Sequence, residues 1–188
     1  MSERLLTLLP NGHAGLADVE WTEAGPKLTP VEEGQGEPEG VLSPGFVDIH
    51  VHGGFGVDFM TSSSGEIKDW ADKLGEEGCE AFLPTTVTGS AEAVAEALDR
   101  LPDHPLIKGV HLEGPFISPQ YPGAQPPQFI LDPSPLSSAW KKILDDPRIR
   151  VMTLAPERPG GLELVSLLAS KGIIPSLGHT NGTYEEAE

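Results

Sequence analysis

The sequence predicts an α/β fold: a (β/α)8 TIM-like barrel with about its first five βα units present, preceded by a small N-terminal β region. Three observations lead there. Five short apolar strands alternate with helical stripes, the pattern of βαβ units around a parallel sheet. Polar residues stand at the C-terminal ends of the first, third and fifth strands, and in a (β/α)8 barrel that rim carries the active site. A doubly wound sheet would want a Gly-rich phosphate turn after an early strand, and neither G-x-G-x-x-G nor a P-loop motif occurs.

Residues 1–43 form the β region, expected to be part of a composite β-sandwich-like module. Glu3, Asp18, Glu20, Glu23, Glu32, Glu33, Glu37 and Glu39 are balanced there only by Arg4 and Lys27. Short β-like pieces such as Leu5–Leu9 make up the region, and a loop from Gly34 to Gly40 closes it. Residues 44–188 are the barrel portion. Its first strand, Phe46 to His52, puts Val47, Ile49 and Val51 on one face and Asp48, His50 and His52 on the other, and Gly53-Gly54 stops it. Ser63 and Glu66 have capping-box spacing ahead of a stripe of Ile67, Trp70, Ala71 and Leu74. The second strand is Cys79–Thr86; Ser90 then caps a helix whose stripe is Val94, Ala95, Leu98 and Leu101. The third strand, Ile107–Glu113, leads into a long Pro/Gly-rich loop from Gly114 to Pro135 and a short helix over Ala139–Leu144. A fourth strand, Ile149–Ala155, precedes a helix over Leu162–Ser170 that Gly172 closes, and Ile173–Leu177 is the fifth. Thr183 and Glu186 then announce a further helix.

The composition narrows the function classes. The 188 residues carry 12 Lys+Arg against 29 Asp+Glu, a formal charge of −17. Such a charge disfavours nucleic acid and anionic lipid, whose binding rests on Lys and Arg meeting phosphate. No apolar run reaches the roughly 20 residues of a membrane span. No basic-then-apolar leader follows Met1, and the single cysteine, Cys79, has no internal partner, so a soluble protein of the reducing cytoplasm is expected.

The sharpest local signal is His50-x-His52. Two residues apart on a strand, both imidazoles project from one face, with glycines behind them leaving room for a metal and its water. The competing reading is a pair of polar rim histidines bonded to backbone or solvent. Asp48, one step deeper, either orients a histidine or caps a buried network. Glu113 ends the third strand ahead of Gly114-Pro115, as a metal ligand, a general base or a solvated strand-end carboxylate. His111 shares its face more deeply and reads as a satisfied core histidine. His179 closes the fifth strand after Ser176-Leu177-Gly178. Three imidazoles and a carboxylate suit zinc or ferrous iron and leave positions open for water. Thr85-Thr86 either lines the pocket or reflects β-propensity; His13 and His104 read as loop residues with surface roles, and Cys79 as a buried thiol.

Taken together, Ser43-Pro44-Gly45-Phe46-Val47-Asp48-Ile49-His50-Val51-His52-Gly53, Thr85-Thr86, His111-Leu112-Glu113-Gly114-Pro115-Phe116 and Gly178-His179-Thr180-Asn181 resemble the amidohydrolase superfamily. The first block is a signal of the whole superfamily, shared with dihydroorotases and many deaminases. His-Leu-Glu-Gly-Pro-Phe followed by Gly-His-Thr-Asn resembles one branch, the N-acetylglucosamine-6-phosphate deacetylases. The resemblance covers nearly all of residues 41–188.

That resemblance implies a metal-dependent hydrolase barrel over 44–188 holding one or two divalent ions, zinc or iron. Glu113 and His179 match two ligands of the principal metal, and His50 and His52 match the pair that holds a second. Ala124 and Gln125 fall where the family contacts substrate; the family usually has a histidine at the position of Gln125. The implied reaction is hydrolysis of the N-acetyl amide of N-acetylglucosamine 6-phosphate to glucosamine 6-phosphate and acetate, with an aspartate carrying the proton to the leaving amine. The implied partner is a small amino-sugar phosphate, and the implied assembly a homo-oligomer, a dimer, once the barrel is complete. A third principal ligand, the phosphate-binding residues and the catalytic aspartate are expected beyond Glu188, so no catalytic residue is named in this chain. Alternatives are another amidohydrolase, dihydroorotase-like or aminohydrolase-type, and a non-catalytic fragment or pseudoenzyme module.

Length agrees with a partial barrel. Removing about 40 residues leaves roughly 145, against about 250 for a full (β/α)8 barrel. Five strands leave two sheet edges and an apolar interior to be covered. The chain is therefore expected to be about half of an enzyme, with little or no turnover on its own.

Overall fold

The computed structural model describes residues 2–9, 12–32 and 36–187. The chain separates into two compact units, Met1–Gly45 and Phe46–Glu188.

In the first unit, strands β1 (Ser2–Leu8), β2 (Ala14–Thr22), β3 (Gly25–Pro30) and β4 (Gly40–Val41) form one sheet in the order β3-β2-β1-β4. β1 and β2 pair antiparallel with Leu5 opposite Ala17, and β4 runs parallel to β1. Period-two alternation sets the faces: Leu5, Thr7, Ala17 and Val19 are buried while Leu6 and Leu8 are exposed. Arg4 spans the pair, donating from Nε and Nη2 to Asp18 at 2.9 and 3.1 Å. Gly34 and Gln35 of the expected loop, and Glu33 before it, lie outside the described residues. Gly40 at the loop's end is not loop but strand, drawn into the sheet by pairing with Leu5.

The second unit is built on a five-stranded sheet of β5 (Phe46–Val51), β8 (Cys79–Thr86), β9 (Val110–Glu113), β10 (Ile149–Leu154) and β11 (Ile174–Leu177), in the order β11-β10-β9-β8-β5. Every neighbour is parallel and next in sequence, the arrangement of consecutive staves in half of a barrel. A two-stranded hairpin, β6 (Gly53–Gly54) with β7 (Val57–Asp58), follows the first stave. The crossovers carry α1 (Ser64–Glu76), α2 (Ala91–Arg100), α3 (Ser138–Leu144) and α4 (Gly161–Ser170), and the short α5 (Tyr184–Ala187) follows β11.

Local chemistry explains the helix starts. Ser63 and Glu66 form the expected capping box, with Ser63 N–H donating to Glu66 Oε2 at 2.8 Å. Ser90 accepts from Ala93 N–H and Ser137 from Trp140 N–H, and Thr183 and Glu186 bond reciprocally at 2.8 and 3.3 Å. The stripes of α1 to α4 pack on the sheet around Trp70, Phe82, Phe116, Trp140, Leu112 and Met152. Trp70 meets Phe82 edge-on at 5.0 Å between ring centres, and Phe116 meets Trp140 at 5.4 Å.

Four local expectations need correction. The third strand starts at Val110, not Ile107, because the chain changes partners: Lys108 N–H bonds Phe82 O, and Val110 N–H bonds Arg148 O. On α2, Ala97 is buried where Ala95 was expected. Phe129 closes a 3-10 turn, Pro127–Phe129, inside the long loop. His104 is buried rather than a surface residue, bonded to Asp72 Oδ1 at 3.1 Å and to Leu106 N–H at 3.2 Å. The edge strands expose apolar side chains, with Val47 at 66%, Ile49 at 57% and Ile174 at 62% of full accessibility, as five open staves require. Among the described residues no helix is long and apolar enough to cross a membrane.

Candidate metal centre

Parallel strands deliver their C-terminal ends to one rim, and there the structure gathers His50 from β5, Glu113 from β9 and His179 from just after β11. His52 follows β5 by one residue. Glu113 is the hub. Its Oε1 lies 3.3 Å from His50 Nε2 and 3.0 Å from His179 Nε2, and its Oε2 lies 3.1 Å from His52 Nε2. His50 Nε2 and His52 Nε2 stand 3.2 Å apart. Donor atoms of His50, His52 and Glu113 all fall within 4.8 Å of one another, a group suited to a metal ion; His179 joins through Glu113.

Backbone carbonyls fix which nitrogens face inward. A carbonyl oxygen only accepts, so His52 Nδ1 donates to Thr85 O at 3.0 Å and His179 Nδ1 donates to Tyr121 O at 3.0 Å. In the neutral rings each Nε2 then carries a lone pair aimed at Glu113. Lone pair against carboxylate at 3.0 to 3.1 Å is repulsive unless a proton or a cation lies between them. Ligand atoms about 2.1 Å from a tetrahedral ion stand roughly 3.4 Å apart, close to the spacings found. The donor set therefore fits a divalent metal.

The electrostatics agree. With a proton rather than an ion between Nε2 and carboxylate, burial would raise the Glu113 carboxyl, but hydrogen bonds from His52 and His179 and the neighbouring His50 and His52 charges hold it down at about 2. His52 is raised chiefly by its bond to Glu113, against burial and with help from Thr85. Burial lowers His111, which sits beneath the site and touches His50 edge-on at 4.7 Å. His111 is satisfied in the core: Nδ1 donates to Ile49 O at 2.8 Å, and Nε2 accepts from Thr153 Oγ1 at 2.7 Å.

Several supports had no local sequence signal. The long loop after β9 packs back on the rim, where Ser118 N–H bonds His179 O at 2.8 Å and Ser118 Oγ bonds Asn181 Oδ1 at 3.0 Å. Asp48 acts on His50 through its backbone, Oδ1 accepting His50 N–H at 3.0 Å. Thr85 holds Val51 N–H with its hydroxyl as well as His52 with its carbonyl. Gly53 serves the hairpin rather than opening space for a metal, since a Cβ there would lie 2.1 Å from Val57 O. Ala124 is exposed, whereas Gln125 is buried against Glu113 and Thr88.

The amidohydrolase family model matches residues 41–188, most of the chain and all of the rim described above. The chain belongs to the amidohydrolase family. Among family members, the N-acetylglucosamine-6-phosphate deacetylase of Bacillus subtilis is 35% identical over 189 residues, covering 93% of this chain and 47% of that protein. The N-acetylgalactosamine-6-phosphate deacetylase of Escherichia coli O157:H7 is 31% identical over 153 residues, covering 78% of this chain and 41% of that protein. A crystal structure of N-acetylglucosamine-6-phosphate deacetylase from Thermotoga maritima superposes with a TM-score of 0.78 at 34% identity, covering 98% of this chain and 50% of that one. The chain thus spans about half the length of the relatives it matches.

Proposed function

We propose that this chain supplies the metal-binding half of a deacetylase that hydrolyses the N-acetyl amide of an amino-sugar 6-phosphate. The observation that carries the reading is the convergence of His50, His52 and His179 on Glu113 at 3.0 to 3.3 Å. Relatives 35% and 31% identical are named as deacetylases of N-acetylglucosamine 6-phosphate and N-acetylgalactosamine 6-phosphate, which supports an amino-sugar phosphate as substrate.

Glu113 and His179 would hold the principal ion, and His50 and His52 a second or shared one, zinc or iron. When bound, such an ion supplies a Lewis acid that polarises a carbonyl and makes water acidic near neutral pH. The chain's own residues prepare for it. Thr85 O and Tyr121 O hold the protons of His52 and His179 on Nδ1, leaving Nε2 free to ligate. Glu113, held ionised, contributes negative charge that favours a cation over a proton. His111, its pKa lowered by burial, gives the site a floor that resists adding positive charge. Ala124 lies exposed beside the rim, where it can line the sugar site. The proton-carrying aspartate is expected outside residues 1–188, and a single cysteine, with no partner for an internal disulfide, accords with a cytoplasmic enzyme.

The test compares two samples, the protein isolated from the cells that make it, with its intact mass recorded, and the 188-residue chain alone. The first is expected to release acetate from N-acetylglucosamine 6-phosphate and to stop on chelation; the second, to bind metal without turnover. Ring opening of a dihydroorotate, or ammonia in place of acetate, would move the protein to another amidohydrolase reaction.

A further inference from the structure

Gln125 comes from the long loop, 12 residues after Glu113 in sequence, yet it is buried to 6% of its full accessibility and makes two short side-chain bonds. Its Oε1 accepts Thr88 N–H at 2.7 Å, and its Nε2 donates to Glu113 Oε2 at 2.5 Å. The first bond fixes the second: a backbone N–H only donates, so the amide oxygen must face Thr88 and the NH2 must face Glu113. The Gln125 backbone is itself tied, its N–H bonding Pro122 O at 2.9 Å.

The Glu113 backbone is held on both sides. Its N–H donates to Thr86 Oγ1 at 3.2 Å, and its carbonyl accepts from Thr88 Oγ1 at 3.0 Å. The freedom left to this residue is rotation of its side chain, and Gln125 removes it. We infer that Gln125 is a positioning residue for Glu113: its amide N–H anchors Oε2, which His52 Nε2 also faces, and so fixes the carboxylate rotation that turns Oε1 toward His50 and His179. A neutral amide does this without cancelling the charge that draws the ion, as Lys or Arg would.

The inference rests on the metal-site reading, and the experiment separates the two. Zinc affinity and the visible spectrum of the cobalt-substituted protein are measured for the 188-residue chain, wild type, Q125L and Q125E, with urea midpoints reporting folding. Outer-shell partners of metal ligands typically carry 10- to 100-fold in affinity. Both variants are expected to lose about that much, with cobalt bands altered in position and intensity as the freed carboxylate rotates. Q125E decides the role, because its carboxylate still accepts Thr88 N–H but has no N–H for Glu113. Zinc binding by Q125E within about threefold of wild type, or tighter because the new carboxylate joins the ion, overturns the inference alone. Absence of zinc and cobalt binding by wild type overturns the metal-site reading and the inference with it. Should Q125L fail to fold, Q125E still gives the answer.

Discussion

Gly114 follows Glu113 at a φ of +78°, and a Cβ built there would lie 2.0 Å from Thr88 Oγ1 and 3.2 Å from Thr88 Cβ. Gly114→Ala therefore meets three costs. The left-handed backbone costs a residue with a Cβ about 1 to 2 kcal/mol. Pushing the buried Thr88 aside overpacks the rim, at about 1 to 3 kcal/mol. Moving its hydroxyl breaks the 3.0 Å bond to Glu113 O, worth roughly 1 kcal/mol. Together they reach about 3 to 6 kcal/mol, a large share of the 5 to 15 kcal/mol that typically separates a folded domain from its unfolded chain. Urea unfolding of wild type, G114A, T88A and the double variant measures it. Because T88A removes the nearest atom, it is expected to cost less in the G114A background than alone, with a coupling above about 1 kcal/mol. G114A within about 0.5 kcal/mol of wild type, or strict additivity in the double variant, refutes the steric reasoning.

Zinc at 100 times its Kd should stabilise the folded chain by about 2.7 kcal/mol, read as a rise in Tm that EDTA reverses and H52N abolishes. Thr153→Val leaves the buried Nε2 of His111 without its 2.7 Å partner and should cost about 1 to 3 kcal/mol in urea midpoints while zinc stoichiometry stays the same. Asp146 has its carboxyl lowered chiefly by hydrogen bonds to Arg148, against burial. A folded-state pKa below the unfolded one gives stability that is present above the unfolded value, about 3.9, and lost as pH falls through the folded value. D146N should therefore cost roughly 1 kcal/mol at pH 7, and its gap from wild type should close progressively below pH 4; a gap unchanged at pH 2.5 would count against the Arg148 pairing.

What the sequence made legible is what short-range physics encodes. Alternation over Phe46–Val51 and an apolar run over Cys79–Thr86 place strands, and the Ser63–Glu66 spacing places a helix start, because each signal lies within a few residues of what it specifies. The gathering of the candidate ligands was legible for the same reason: successive parallel strands end on one rim, so polar residues at those ends must approach one another. Invisible from sequence was everything that sets the orientation of these candidate ligands. His179 meets Glu113 across 66 residues, His111 meets Ile49 O across 62, and Tyr121 reaches His179 across 58. Two of the orienting acceptors, Thr85 O and Tyr121 O, are backbone atoms that any residue would offer, so no side-chain pattern marks them. Gln125 shows the difference most sharply. By position it reads as a substrate contact; by geometry its amide is already committed to Glu113 and Thr88, leaving no side-chain N–H fixed toward a sugar except the second one on Nε2. Under the proposed function, substrate recognition on this half of the rim would then fall to Ala124, to other loop atoms and to the unshared amide hydrogen. In the cell-isolated protein used for the acetate assay, a Q125L change that lowers metal affinity with the sugar-phosphate KM unchanged at saturating zinc would assign the residue to the ion; a change in KM alone would return it to the substrate.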